Sequence, residues 1–557
     1  MSENISNLLF NNGVENFKKK NFVEAQKNFE KFLSIHPEDI QCLENLVLSY
    51  FHDKKFLKAE NCLKKIISLG KKDKKILEFL ITVLKLQDKI DEIKKLIEIE
   101  KDNIDPKYDL IKDIIFPKIP KDNSEIKNLR ESTLTKVIER NYNKNLKLDL
   151  ENQLLDPPIY DFSYDKSDNL RLNGEFVKLF KSIYPPLNQK IILKKNDTSK
   201  IKIAFISQFL TDHTIGKLFK GLILKLDQDK FDISIFHLHS TERGNILDEF
   251  QKFEKKTNLK NFFLPKNFNA KVDLIKSRQL DIIFYPDIGI SSELYFLTFL
   301  KLAKNQITSW GHPESSSNPN IDFFLSSDLL ETKNCQDRYS EKLILSKFLP
   351  MYFYEPKQEA INENELNKQN VYSCPQTLFK IHPDFDSIIN KILKRDKKAV
   401  IYFIKDKNEI YFTKLIERFK KVFSSDIDRV EFINPLSNYE YINHCGRASV
   451  LLDPLYFGAG NSFHESMFYG TPTVSLPTDY LKSRIVFGAY KQMKINDIPV
   501  VSSEEDYVSL AIDLANQKPK EILEKKKYYK ESAKKYLYTN ENFIVEIENI
   551  FFSLINK

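Results

Sequence analysis

The chain has 557 residues, room for three or four compact domains of roughly 100–200 residues each. Its 41% hydrophobic and 29% charged fractions are those of a globular protein, and no apolar run is long enough to span a bilayer. The formal charge of +8 arises from 86 basic residues interleaved with 78 acidic ones, which argues for a solvated Lys-rich surface and against a nucleic-acid partner. Five cysteines (Cys42, Cys62, Cys335, Cys374, Cys445) include no CxxC pair, so neither a zinc knuckle nor a disulfide framework is expected. The N-terminus shows no basic start, unbroken apolar core and cleavage site, and the expected location is the cytoplasm, without integral membrane association.

Residues 9–100 repeat with a period of 34. Phe17, Phe22, Ala25, Phe29 and Leu33 recur as Phe51, Phe56, Ala59, Leu63 and Ile67. A weaker third copy sets Ile90, Ile93 and Ile97 where Phe22, Ala25 and Phe29 stand, and Leu77, Leu80 and Leu84 answer Leu43, Leu46 and Tyr50. This is tetratricopeptide spacing: the alanine lets the second helix of a hairpin approach the first, and the aromatics fill the gap to the next hairpin. An ordinary helical bundle is the alternative. Pro37 stops the first unit after His36. An array of this kind offers a groove to a peptide or protein partner.

Residues 101–197 read as a helical connector, with helices near 124–155 and 171–183 and turns at Asp156-Pro157-Pro158 and Tyr184-Pro185-Pro186. From 198 the pattern becomes short apolar strands alternating with amphipathic helices, as in parallel sheets covered on both faces. Strands at 201–207, 231–238, 282–287, 306–311 and 321–327 make a first Rossmann-like half over 198–355. Those at 371–375, 399–404, 429–434, 450–455 and 472–477 make a second over 370–535, and 536–557 is a terminal helix packing back. The fold class is an all-α N-terminal part followed by two α/β halves.

In such sheets a ligand sits beyond the carboxyl ends of the strands. The segment VLLDPLYFGAGNSFHESMFYGTP runs from a strand through Gly458 and Gly460 into a helix near Asn461, where glycines and a helix start suit a diphosphate. Asn461 and Ser462 add donors, and Glu465, one turn in, can accept from ribose hydroxyls. A plain strand-to-helix turn is the alternative.

Five blocks carry more information than that turn: DHTIGKLFKGL (212–222), ITSWGHPESSSNPNIDFFLSSDLLE (307–331), CPQTLFKIHPDFD (374–386), FGAGNSFHESMFYGTPTVSLP (457–477) and SRIVFGAYKQM (483–493). Together they resemble the O-linked N-acetylglucosamine transferase family, particularly its bacterial tetratricopeptide-bearing members, over about 200–545. The resemblance implies a GT-B fold, in which the first half faces the acceptor and the second holds a UDP-sugar. It further implies inverting transfer to a protein side chain with no bound metal or resident cofactor. Lys380 occupies the position of the catalytic lysine, a cation to meet the charge that builds on departing UDP. His213 stands where the family has its active-site histidine, its role as a base left open. His312, in Gly311-His312-Pro313, resembles a Gly-Tyr-Pro turn on the sugar or acceptor side, with Asp287 and Gly289 on the same rim. On the nucleotide side are Gln376, Thr377, Gly458, Gly460, Asn461, Ser462 and Glu465. Tyr441 replaces a histidine that packs on uracil, and Asn438 replaces a lysine, which removes a charge.

Asp384-Phe385-Asp386 has the form of a metal-binding DxD, but it follows Pro383 at a helix start, where acidic residues are favoured by the dipole. In the last segment Phe543, Ile547, Ile550 and Phe551 share an apolar face, while EKKKYYKESAKK leaves a membrane-surface helix as a competing idea. The expected activity is transfer of N-acetylglucosamine to Ser or Thr, with glucose on asparagine also open. A tetratricopeptide adaptor or nucleotide-sugar sensor with a decayed GT-B part is the rival from another class.

Overall fold

The computed structural model describes residues 2–143, 145–193, 199–366 and 368–555. They form two compact units, Met1–Ile119 with Asn408–Thr413, and Pro120–Lys407 with Lys414–Lys557. No described helix is long and apolar enough to cross a membrane.

In the first unit six helices, Ser2–Lys18, Phe22–Ile35, Ile40–His52, Phe56–Ser68, Lys74–Leu86 and Ile90–Glu100, follow the 34-residue period as three hairpins. Ala25, Ala59 and Ile93, equivalent in the repeat, are each fully buried. Gly13 serves close approach too, since a Cβ there would lie 2.4 Å from Phe29 Cε1. Asp39 and Asp73 cap their helices by accepting from the amides of Cys42 and Ile76. The array runs past the expected boundary at 100: Ile104, Tyr108 and Ile115 join its core, with a seventh helix at Lys107–Ile114. A terminal hairpin would otherwise leave its apolar face in water.

The connector begins the second unit. Its first helix is Asn123–Asn143, shorter than the 124–155 expected; farther on, Asp149 accepts from the Glu151 amide at 2.9 Å and turns the chain locally. A short helical turn, Pro158–Tyr164, and the helix Leu170–Ile183 follow. The expected end of the connector at 197 lies outside the described residues, as do 556 and 557 of the terminal segment.

The first α/β half is a seven-stranded sheet of β1 (Ile201–Ser207), β2 (Phe231–His237), β3 (Lys260–Phe263), β4 (Ile282–Tyr285), β5 (Asn305–Ser309), β6 (Phe323–Ser327) and β7 (Lys342–Ser346). The second holds β8 (Val371–Cys374), β9 (Val400–Ile404), β10 (Val430–Ile433), β11 (Val450–Leu452) and β12 (Thr473–Val474). The orders are β3-β2-β1-β4-β5-β6-β7 and β10-β9-β8-β11-β12. Every pairing is parallel, with Ile203 opposite Ile233 and Ile282, and Tyr372 opposite Ile401 and Val450. The order in which strands are added reverses between β1 and β4 and again between β8 and β11, the two places where a doubly wound sheet opens a crevice. Strands β3 and β7 have no counterpart in the sequence reading; both are edge strands, and half-wet KNFF and KLILS lack the long apolar run of a central strand.

The helix Glu541–Ile555 lies against the first half. Phe551 packs 6.1 Å from Phe231 and 6.4 Å from Phe284, and Glu548 accepts from the Asp227 amide at 2.9 Å. The lysine-rich helix before it, Pro519–Ser532, buries Ile522, Lys526 and Tyr529. Lys526 Nζ donates to the carbonyls of Leu366, Gly446 and Ala448, each at 2.7 Å. That packing within the protein replaces the membrane-surface alternative.

Candidate active site

The loops after β1, β4 and β5 supply the first wall. His213 caps the helix Thr214–Lys225, its Nδ1 accepting from the Ile215 amide at 3.3 Å. Burial lowers the imidazole to about 4, so near pH 7 it is neutral with its proton on Nε2. A ring held this way offers a donor; acting as a base would cost it the cap. Asp287 is fully buried beyond β4, with Oδ1 accepting from Ser207 Oγ at 2.5 Å. Burial raises this carboxyl to about 8. Gly289 has φ +112, and a Cβ there would lie 2.8 Å from Ile159 Cδ1. At Gly311 a Cβ would meet the Pro286 carbonyl oxygen at 2.2 Å. His312 is 2% exposed and buried Pro313 follows it. The His312 Nε2 lies 3.1 Å from Ser163 Oγ, and burial takes its ring down to about 4.

The loops after β8 and β11 supply the facing wall. Lys380 ends the turn Leu378–Lys380, its Nζ donating at 3.1 Å both to Gln376 Oε1 and to the Gly458 carbonyl. The ammonium lies 4.9 Å from the centre of the Phe457 ring. Desolvation, opposed by the Asp453 carboxylate, brings its pKa down to about 8. Gln376 Nε2 donates to Ser462 Oγ at 2.7 Å and so ties the two loops together. Tyr441 donates to the Pro375 carbonyl at 3.1 Å, while the Thr377 side chain is exposed. Gly458 is needed for packing, since a Cβ would lie 2.9 Å from Asp453 Oδ2; at Gly460 a Cβ would make ordinary contacts, 3.8 Å from Ile485 Cδ1 and 3.9 Å from Trp310 Cζ3. Asn461 begins a helix as expected, yet that helix is only Asn461–Ser466. Six residues sum few peptide dipoles, so the start of this helix is by itself a weak place for an anion. Glu465 is engaged across the crevice: it pairs at 2.5 Å with Lys217 of the opposite half, which also donates to Asn438 Oδ1 at 2.7 Å.

The Asp384 and Asp386 carboxylates are engaged within the protein. Asp386 takes Arg418 Nε at 2.7 Å and Nη2 at 2.9 Å, and Asp384 accepts from Tyr456 and Asn123, both at 2.6 Å.

Several residues at this crevice were not legible in the sequence. The connector turn Pro158–Tyr164 brings Tyr160 to 5.4 Å from the His312 ring and Tyr164 to 4.9 Å from Phe457. Lys482, 1% exposed, pairs at 2.7 Å with Glu314, and Glu314 accepts from Ser163 at 2.8 Å and from Asn169 at 2.9 Å. The Gly458 amide donates to the Lys482 carbonyl at 2.9 Å, so one buried network links the connector, the first half and the Lys380 loop. Asp453, directly after β11, accepts from the Ala459 amide at 2.7 Å and from Ser475 at 2.6 Å; burial raises it to about 7. Its place at a strand end was the available signal, and Lys217, one helical turn after His213, had the same kind. The connector tyrosines had none, because nothing local says where a turn will dock.

Residues 357–547 match glycosyl transferase family 41. This stretch is a family 41 glycosyltransferase domain. It contains β8–β12 and with them Gln376, Lys380, Tyr441 and the 458–465 loop. A probable UDP-N-acetylglucosamine–peptide N-acetylglucosaminyltransferase of Arabidopsis thaliana is 19% identical over 350 residues, 59% of this chain and 34% of the relative. A UDP-glucose:protein N-beta-glucosyltransferase of Actinobacillus pleuropneumoniae is 21% identical over 383 residues, 66% of this chain and 59% of the relative. The chain thus spans between about a third and three fifths of the curated relatives it matches. A solved O-GlcNAc transferase mutant from Thermobaculum terrenum superposes with a TM-score of 0.69 at 14% identity, over 99% of this chain and 98% of that one. The family 41 domain therefore sits within a helical-array and GT-B fold shared from end to end.

Proposed function

We propose that the chain is an inverting, metal-independent glycosyltransferase that moves a sugar, N-acetylglucosamine in the first instance, from a UDP-sugar to a protein side chain. The observation that carries this reading is Lys380: an ammonium set at a sheet switch point, 3.1 Å from both Gln376 and the Gly458 carbonyl, with Gln376 in turn held to Ser462. In the reaction an acceptor heteroatom attacks the anomeric carbon from the face opposite the diphosphate. The anomeric C–O bond breaks, its electron pair leaves with UDP, and the proton of the acceptor heteroatom is released to solvent by way of the departing diphosphate. Lys380 meets that charge where desolvation strengthens the interaction, and His213 Nε2–H adds a donor from the facing wall. Tyr441 and Gln376 flank the nucleotide. The Arg418 pairing of Asp386 leaves the DxD sequence in a structural role, in keeping with a reaction that draws on no bound cation.

The relatives named for peptide N-acetylglucosaminyl transfer and for protein glucosylation set the donors to try. The acceptor is a cytoplasmic protein, and the helical array is the surface proposed to hold it. Purified chain incubated with labelled UDP-N-acetylglucosamine or UDP-glucose and a lysate of its own cells releases UDP and labels polypeptide, equally in EDTA. A strict need for added divalent metal overturns the metal-independent mechanism. Nucleotide binding without turnover points instead to a sensor or adaptor.

A further inference from the structure

The contact between Lys217 and Glu465 joins residues of opposite walls. Lys217 is rooted in the helix Thr214–Lys225 of the first half, one turn beyond His213, and its Nζ reaches Glu465 Oε1 at 2.5 Å and Asn438 Oδ1 at 2.7 Å in the second. The Glu465 side chain is 7% exposed and that of Lys217 31%. A carboxylate so enclosed is costly without a cation, and Lys217 is the group that makes a charged Glu465 tolerable. Glu465 shares the helix Asn461–Ser466 with Ser462, the partner of Gln376, which places the ion pair beside the Lys380 loop.

We propose that Lys217 is a donor-binding residue that acts in two states, a conclusion resting on the glycosyltransferase reading above. In one, the arrangement seen here, it neutralises Glu465 and links the walls. When a nucleoside diphosphate sugar enters, the ribose hydroxyls donate to Glu465 in place of the ammonium, and the released ammonium turns to the diphosphate as a second cation beside Lys380. No proton or covalent bond moves; one set of charge-assisted hydrogen bonds replaces another. The charge is what matters, and it need not come from the first half: Asn438 lies 2.7 Å from the ammonium, so a lysine at that position can deliver the same cation from the other wall.

The test is UDP affinity by calorimetry, with KM and kcat for the UDP-sugar measured alongside. Lys217→Met is expected to weaken UDP binding and raise KM by about tenfold or more, and to lower kcat as well, since the same ammonium meets charge that builds on departing UDP. Lys217→Arg retains affinity, and Asn438→Lys in the Lys217→Met background restores it. Equal UDP affinity in wild type and Lys217→Met overturns the proposal. So does a Lys217→Met defect that Asn438→Lys leaves uncorrected, which would make the lysine a brace for the fold. A wild-type chain that binds no UDP defeats the glycosyltransferase reading itself, a result distinct from either.

Discussion

Lys380 connects a single amine to a pH profile. Its conjugate acid is the form that stabilises departing UDP, and desolvation takes its pKa from the ordinary 10.5 to about 8. Turnover is therefore expected to fall as pH rises through about 8, and a kcat profile flat to pH 10 would remove the lysine from that role. Stability has the opposite sign: between about 8 and 10.5 the unfolded chain binds the proton that the folded one has released, so this group's contribution rises with pH. Lys380→Ala is expected to cost about 10²-fold or more in kcat with an unchanged melting curve. The family resemblance made this residue and His213 legible, their places after strands agreeing with it, with Asp287 read on the same rim. What the sequence could not show is that Glu465 is already paired, or that His312 is 2% exposed beside Ser163 rather than open to the crevice.

At the scale of elements, the connector turn Pro158–Tyr164 and the segment Leu481–Ser483 show how pieces without chemistry of their own shape a site. Lys482 joins them through Glu314, and both charges are withdrawn from water. Lys482→Met leaves Glu314 facing only hydrogen-bond donors, a loss of about 3–5 kcal/mol by analogy with other broken buried pairs. Adding Glu314→Gln is expected to recover much of it in urea unfolding. If Lys482→Met unfolds at the wild-type midpoint, the network contributes nothing to stability. The sequence signalled turns here through Asp156-Pro157-Pro158, and a turn signal is local. Docking depends on Gly289, whose φ of +112 and missing Cβ admit Ile159 from a segment 130 residues earlier.

Across the whole molecule, the helix Glu541–Ile555 completes a core begun some 340 residues before it. Phe543, Ile547 and Phe551 are fully buried, at roughly 1.5–3 kcal/mol each. Their sum is a large part of the ~5–15 kcal/mol that holds a domain together. Truncation after Asn540 is expected to abolish a cooperative melt of the α/β unit; a truncated chain that melts as sharply and as late as the intact one would show the helix to be dispensable.

The sequence by itself determined what depends on period and neighbours: the 34-residue helical repeat, the alternation of strand and helix, and the loops where chemistry gathers. Those features follow from side-chain geometry within a few turns of the chain. Edge strands β3 and β7, the Lys217–Glu465 pair and the connector tyrosines beside His312 and Phe457 were decided by tertiary structure alone. Each of them brings together residues far apart in the chain, and only packing the apolar faces into one core fixes which distant groups share a low-dielectric space.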